Sequence, residues 1–85
     1  MVVFKAGQRI HVEIPKYGID HDAVIENPHH PMLSWLTYHK KRYKAYGIDY
    51  VVMDGNRKCF RGNLTFIEPH IHGNKIVSYG VTITF

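Results

Sequence analysis

The chain has 85 residues and a formal net charge of +4, and its content of 45% hydrophobic and 13% aromatic residues excludes a disordered polypeptide. Its length predicts a single domain, residues 1–85, near the lower size limit for one hydrophobic core. No apolar run approaches the ~20 residues of a membrane-spanning helix and no secretory leader is evident, while the single cysteine, Cys59, permits no internal disulfide. We therefore expect no membrane association and a cytoplasmic protein.

Two strands are predicted at the start of the chain. Residues 7–14 alternate between apolar and polar side chains, which is typical of a strand with one buried face. Residues 21–26 predict a second strand, which Pro28 and Pro31 then interrupt. The side chains that we expect in the core are Ile10, Val12, Ile14 and Val24, joined by Ala23 or Ile25.

Residues 31–46 predict one helical insertion. The apolar residues of this segment recur at steps of four, three, four and three, the period of one helix face, and they are Met32, Leu36, His39, Tyr43 and Tyr46. Pro31 suits the first helical turn, and Gly47 suits a left-handed C-terminal cap. An extended alternative stays open, because Trp35 and the tyrosines of this segment also favour strands.

The second half of the chain predicts short strands. They cover residues 48–53, 58–61, 64–67 and 75–85, with turns between them at 54–56, 62–63 and 72–74. Cys59 or Phe60 is expected to face inward, and Gly80 is expected to form a bulge in a long final strand. The pattern predicts a mainly β fold, a small and strongly bent antiparallel sheet or barrel with one helical insertion.

The segments AGQRIHVEI, YGIDHDAVIEN and GIDYVVMDGNRKCFRGNLTFIEP resemble the strand order of SH3-like barrels of the KOW and Tudor type. The residues 51–56 and 64–69 match the hairpin of those barrels and its exit. The resemblance covers about residues 6–69 and departs from the family pattern at residues 27–46. It implies a small antiparallel SH3-like barrel, a fold whose members bind RNA, DNA, methylated side chains or other proteins, often as adaptors.

Candidate catalytic and metal-binding residues are few. His70 and His72 fall on one face of an extended segment, where Glu68 and the pair at 29–30 are the nearest further donors, but no known ligand spacing accompanies them. Cys59 could act as a nucleophile beside His11, His21 or His70, although a lone cysteine next to a phenylalanine is more often a small buried hydrophobe. We predict no enzyme activity, no metal and no cofactor.

The clearest chemical signal is a mixture of cations and aromatic rings. Nucleic-acid surfaces combine lysine and arginine, which neutralise phosphates, with aromatic planes that stack on bases. The competing interpretation is an ordinary solvated face whose tyrosines point into the core. The residues that we predict to bind are Lys40, Lys41, Arg42 and Lys44, with Trp35, Tyr38, Arg57, Lys58 and Arg61.

The sequence therefore favours a small non-enzymatic binding module whose partner is nucleic acid or an acidic protein surface. An alternative is a protein–protein interaction adaptor or inhibitor, of the kind that phages encode, which uses residues 27–46. In that case Leu33, Trp35 and Tyr38 form the contact surface.

Overall fold

A computed structural model describes residues 3–29 and 35–85, and 69% of the residues that it describes lie in strands. The strands are β1 (Arg9–Ile14), β2 (Ile19–His29), β3 (Trp35–Tyr38), β4 (Lys41–Lys44), β5 (Tyr46–Asp54), β6 (Arg57–Phe66), β7 (Ile71–His72), β8 (Lys75–Ser78) and β9 (Val81–Thr84). Two short 3-10 turns occur at Pro15–Tyr17 and Glu68–His70. In the described residues no helix is both long enough and apolar enough to cross a membrane.

Seven strands form one antiparallel sheet in the order β6-β5-β2-β1-β9-β8-β7. The remaining two, β3 and β4, pair only with each other within the described residues, and we call this hairpin (Trp35–Lys44) the arm. The large sheet curls so that β8 approaches β6. The Ser78 hydroxyl on β8 donates a 3.2 Å hydrogen bond to the Thr65 carbonyl on β6. No backbone ladder joins the described parts of these two strands, so the sheet is not a closed barrel.

The core lies on the concave side of the sheet, where alternate residues of each strand point inward. One end is closed by aromatic rings, since Phe4 packs edge-on against Phe66 and Phe85 with ring centroids 6.0 and 5.1 Å apart. Burying each large apolar side chain contributes about 1.5–3 kcal/mol, so this single core carries most of the stability. Its fully buried members include Val12, Ile25, Ile48, Tyr50, Val52, Phe66, Ile76 and Ile83.

The predicted helix is wrong for residues 35–46, because 35–38 and 41–44 are the two strands of the arm and Tyr46 begins β5. Residues 31–34 of that prediction lie outside the described residues. Leu36 and Tyr43 are seven residues apart and lie directly opposite each other in the hairpin. A spacing of seven residues also places two side chains on one face of a helix, and this produced the apparent helical period. Gly47 is not a helix cap. It lies inside β5 and pairs with Thr65 of β6.

Several strand predictions are confirmed and others are corrected. The inward set of β1 is confirmed, but β2 buries Ala23 and Ile25 and leaves Val24 half-buried. The strands expected at 58–61 and 64–67 are one continuous strand, β6, because Gly62 pairs with Tyr50 rather than forming a turn. The expected final strand is instead the β8–β9 hairpin, and its turn is formed by residues 79–80.

Three further expectations fail, at β6, at the end of β2 and at the closure of the sheet. Neither Cys59 nor Phe60 is buried, because residues 57–61 of the edge strand β6 are all exposed. The strand expected to stop before Pro28 continues to His29, after a bulge between Ile25 and Asn27. Closure of the barrel is wrong, while the wider resemblance to SH3-like barrels stays a prediction.

A glycine is required at position 62 by a close cross-strand contact. A Cβ atom added there would lie 2.6 Å from Cζ and from the hydroxyl oxygen of Tyr50, whose side chain is buried and cannot easily move away. We expect Gly62→Ala to lower the free energy of unfolding by about 1–3 kcal/mol in urea denaturation, as overpacking does. The neighbouring Asn63→Ala, on an exposed side chain, should change it by less than about 0.5 kcal/mol. A more stable Gly62→Ala variant would contradict this contact.

Candidate binding site

The arm presents the predicted basic cluster on a hairpin. Its turn is formed by His39 and Lys40, which have φ values of 51° and 64°. A two-residue turn with positive φ at both positions matches the twist of the flanking strands, although Asn-Gly is its usual sequence. The turn therefore places the Lys40 side chain at the exposed tip of the arm.

The outer face of the arm combines an exposed aromatic ring with cations. Trp35 is 51% exposed and pairs directly with Lys44 across the hairpin. The Arg42 guanidinium lies 5.5 Å from the centre of the Trp35 ring, within cation–π range. Strand alternation places these three side chains on one face, together with Thr37.

The opposite face of the arm turns toward the large sheet. Leu36 and Tyr43 oppose each other there and are both half-buried. Tyr38 follows on the same face, 40% exposed, with its ring centre 5.7 Å from that of His70. The aromatic content of the segment is thus divided, because Trp35 faces outward and Tyr43 faces inward.

The second predicted cationic group lies on β6, outside the arm. Arg57, Lys58 and Arg61 are exposed on this edge strand. The arm instead meets the other half of β6, because Leu36 shares a hollow with residues 63–65. At about 3.3 Å per residue, Arg57 lies roughly 20 Å along the strand from that contact. Arg61 is also partly engaged, with its guanidinium 3.6 Å from a Glu26 carboxylate oxygen.

A groove follows the open seam between β6 and the β8–β9 hairpin, and we call it the seam groove. It consists of three adjoining hollows that all include Tyr79. The first is bordered by Tyr17 and Phe60, and the second has Leu64 and Val81 at its base. The third ends against the arm and His70. The same incomplete closure that leaves the sheet open therefore creates an aromatic-lined channel.

His70 is built into the inner end of the seam groove. Its Nδ1 accepts a 3.0 Å hydrogen bond from the Ile67 amide, which requires an unprotonated nitrogen. Its ring also lies near those of Tyr38 and Tyr79. Burial, and then the charge of His72, lower the pKa of His70 below its ordinary value. The Ile67 amide therefore occupies Nδ1 and holds the ring in place beside Tyr38 and Tyr79, and the absence of a metal at His70 and His72 stays a prediction.

A histidine between carboxylates occupies the outer face of β1 and β2. His11 Nδ1 lies 3.0 Å from Asp22 Oδ1, and Nε2 lies 2.5 Å from Asp20 Oδ1. Hydrogen bonds to Asp22 and then Asp20 raise the pKa of His11 above 6.5. Glu13 lies beside His11 and Asp20. In the described residues, His11, Glu13 and Asp20 are the one set of three His, Cys, Asp or Glu side chains whose possible metal-ligand atoms all lie within 4.8 Å of one another. Glu13 and Asp20 are exposed and His11 is half-buried, and exposed acidic groups are common in proteins that bind no metal.

The candidate nucleophile has no catalytic surroundings in the described contacts. Cys59 is exposed on β6, and its thiol points to the Arg57 carbonyl at 3.8 Å. None of the histidines considered as its base makes a recorded contact with it; His11 and His70 are engaged as described above.

Two features of the surface were missed from the sequence. The cross-strand pairs His11–Asp22 and Glu13–Asp20 could have been predicted from the sequence. Both strands alternate between apolar and polar residues, and the short turn that joins them sets their register. The seam groove was harder to anticipate, since it depends on Tyr79 lying at a hairpin tip rather than inside a strand. The dipeptide Tyr-Gly between two alternating runs was the available signal.

A scan of protein-family models, a search of curated proteins and a search of solved structures each found no match to this chain. Its function is therefore inferred from its own residues.

Two histidines are expected to titrate in opposite directions. In an NMR pH titration, the midpoint of His11 should lie above 6.5 and that of His70 below it. Asp22→Asn should lower the His11 midpoint and leave that of His70 unchanged, which makes His70 the internal control. A His11 midpoint at or below 6.5 would contradict the recorded contacts.

These shifts also predict the sign of two small effects on stability. The folded chain holds the His11 proton more tightly than the unfolded chain, so this stabilisation is complete below pH 6.5 and is lost as pH rises through the folded-state pKa. His70 acts oppositely, because it resists protonation when folded and therefore lowers stability as pH falls below 6.5. Solvent exposure of the His11 cluster keeps its contribution small.

Proposed function

We propose that this protein is a small non-enzymatic binding module whose arm contacts an anionic partner, most directly nucleic acid. Lys40, Lys41, Arg42 and Lys44 neutralise phosphates, and Trp35 offers an aromatic face beside them. Arg57, Lys58 and Arg61 add a second, more distant cationic contact along β6. Tyr38 joins the arm to the seam groove.

The observation that supports this proposal is the outer face of the arm. Trp35 is exposed there, with the Arg42 guanidinium over its ring and Lys44 directly across the strand pair. Guanidinium and ammonium groups beside an aromatic plane are the chemistry that binds a nucleotide, whose base stacks and whose phosphate pairs with a cation.

The charges of the chain are unevenly distributed, which favours an anionic partner. Four cations lie within residues 40–44, where the sequence has no Asp or Glu. Three of the seven acidic residues lie instead on the outer face of β1 and β2, as Glu13, Asp20 and Asp22. A local basic surface on a chain of modest net charge attracts phosphates to one place rather than to the whole molecule.

A second candidate function is protein binding through the same arm. The exposed Trp35 ring and the partly exposed Tyr38 ring resemble the aromatic anchors that dominate protein interfaces. Leu33, the third residue of that hypothesis, lies outside the described residues. Acidic protein surfaces would also pair with the lysines, so direct binding to an oligonucleotide distinguishes the two partners.

The electrostatic proposal predicts a steep salt dependence. Affinity for a short fluorescent oligonucleotide, measured by anisotropy, should fall linearly on logarithmic axes as salt rises, with a slope of about −0.7 to −0.9 per neutralised phosphate. The double variant Lys40→Asn/Lys41→Ala should weaken binding and reduce the slope by about 2. Asn is chosen at position 40 because it tolerates the left-handed backbone there.

The control for this measurement is Lys5→Ala/Lys75→Ala, which removes the same charge from exposed positions outside the arm. This variant should keep the slope of the unmodified protein. Equal losses in both double variants would indicate an unspecific response to net charge, and absence of salt-dependent binding would reject nucleic acid as the partner.

Trp35 provides a direct readout, because it is the sole tryptophan of the chain. Given its exposure of 51%, acrylamide should quench its fluorescence nearly as well in the folded protein as in urea. A partner that covers the outer face of the arm should reduce this quenching. Weak quenching of the free protein would mean that the ring is already covered and unavailable for binding.

A further inference from the structure

We infer that the seam groove binds a single-stranded nucleic acid segment whose bases stack on Tyr17, Phe60 and Tyr79. This inference rests on the proposed function and specifies its substrate class. It assigns the arm to the phosphate backbone and the seam groove to the bases.

The groove offers aromatic rings that the core does not use. Tyr17 is 67% exposed, Tyr79 is 73% exposed and Phe60 is 40% exposed, although each borders the same hollow. The floor of that hollow includes Gly62, where the missing side chain leaves the buried Tyr50 ring lying across the strand. Flat rings around an open floor provide faces on which planar bases can stack.

The groove is free of negative charge along its whole length. Within the described residues, none of the side chains that line its three hollows is Asp or Glu. Its outer end carries Lys16, whose Nζ lies 5.7 Å from the centre of the Tyr17 ring. Its inner end meets the arm at Tyr38, which pairs directly with Lys41. Cations at both ends of an acid-free aromatic channel complement an anionic chain with stacked bases.

The length of the channel suits a short oligonucleotide. From Phe60 to Ile67, which border its two ends, the strand direction covers about 23 Å at 3.3 Å per residue. Small β domains that bind single strands occupy about 4–16 nucleotides. A few nucleotides therefore fit between Lys16 and the arm.

Single strands are favoured over duplexes by the chemistry of the rings. In a duplex the base faces are already stacked and paired, so aromatic side chains in a groove cannot reach them. An unpaired strand exposes both the faces and the phosphates. The outer face of the arm alone would not discriminate in this way, because phosphate contacts are similar in both forms.

Tyr79 is held in an unusual position, which distinguishes it from an incidental surface ring. It has a φ of 51° and is followed by Gly80 with a φ of 75°, so the two form a turn of the type that prefers Asn-Gly. A bulky residue pays a conformational cost at that first position. The turn places the Tyr79 ring where it borders all three hollows. A strained backbone at such a position is typical of a functional residue.

The test compares a pyrimidine oligonucleotide of about 12 residues, as RNA and as DNA, with the matching duplex. The main variant is Tyr79→Asn, which removes the ring and suits the turn, so the hairpin stays folded. Tyr79→Phe keeps the ring, Tyr17→Ala removes the second platform, and Val77→Ala is the control on the same hairpin, where Val77 is exposed.

We expect the single strand to bind more tightly than the duplex. Tyr79→Asn and Tyr17→Ala should each weaken single-strand binding about tenfold, as expected for one lost stacking contact, and leave duplex binding unchanged. Tyr79→Phe and Val77→Ala should retain the affinity of the unmodified protein. The arm variant Lys40→Asn/Lys41→Ala should weaken the binding of both single strands and duplexes. A difference in affinity between the RNA and the DNA oligonucleotide would identify which of the two the groove prefers.

The two levels of the proposal fail separately. If the ring variants bind single strands as well as the unmodified protein while the arm variant weakens binding, the groove inference is overturned and the proposed function survives. If neither single strands nor duplexes bind, both are overturned. Salt-independent capture of an extended neutral peptide by the seam groove, lost in Tyr79→Asn, would also overturn the inference in favour of a protein partner.

Discussion

The seam between β6 and β8 is the constraint on which the rest of the molecule depends. One sheet of seven strands must curl around a single core, and its ends are joined in the described residues by the Ser78 hydroxyl and the Thr65 carbonyl rather than by a ladder. Unpaired strand edges invite association with other chains, and charged side chains discourage it. Arg57, Lys58 and Arg61 on β6 fit this protective role, which competes with a role in binding.

The surface separates into two regions with different chemistry. The outer face of β1 and β2 carries His11 among carboxylates, and its contacts are satisfied within the chain. The arm and the seam groove carry cations and rings whose contacts are largely with solvent, such as Trp35 and Tyr79. The polar cluster is satisfied within the chain, whereas the exposed rings beside cations are the surface on which the proposed function rests.

Local patterns predicted the strands well where one face is buried, as for Ile10, Val12 and Ile14 of β1. They failed in the arm, because Leu36 and Tyr43 satisfy both a helical period and a hairpin register, and only the turn at 39–40 decides between them. The cationic residues 40–44 are exposed on the turn and second strand of the arm rather than on a helix, and their role in binding stays a prediction. The seam groove was harder to predict, since it arises from sheet curvature that joins residues as distant as Tyr17 and Tyr79.

Under the proposed role of the seam groove, the left-handed backbone at Tyr79 sets stability against recognition at a single residue. Asparagine or glycine there would relax the hairpin, so a thermostability screen of this protein would select against the tyrosine. A variant chosen for a higher melting temperature would then lack the exposed Tyr79 ring that borders the seam groove. If the seam groove binds as proposed, engineering this domain as a robust scaffold and preserving its binding are therefore opposing aims at position 79.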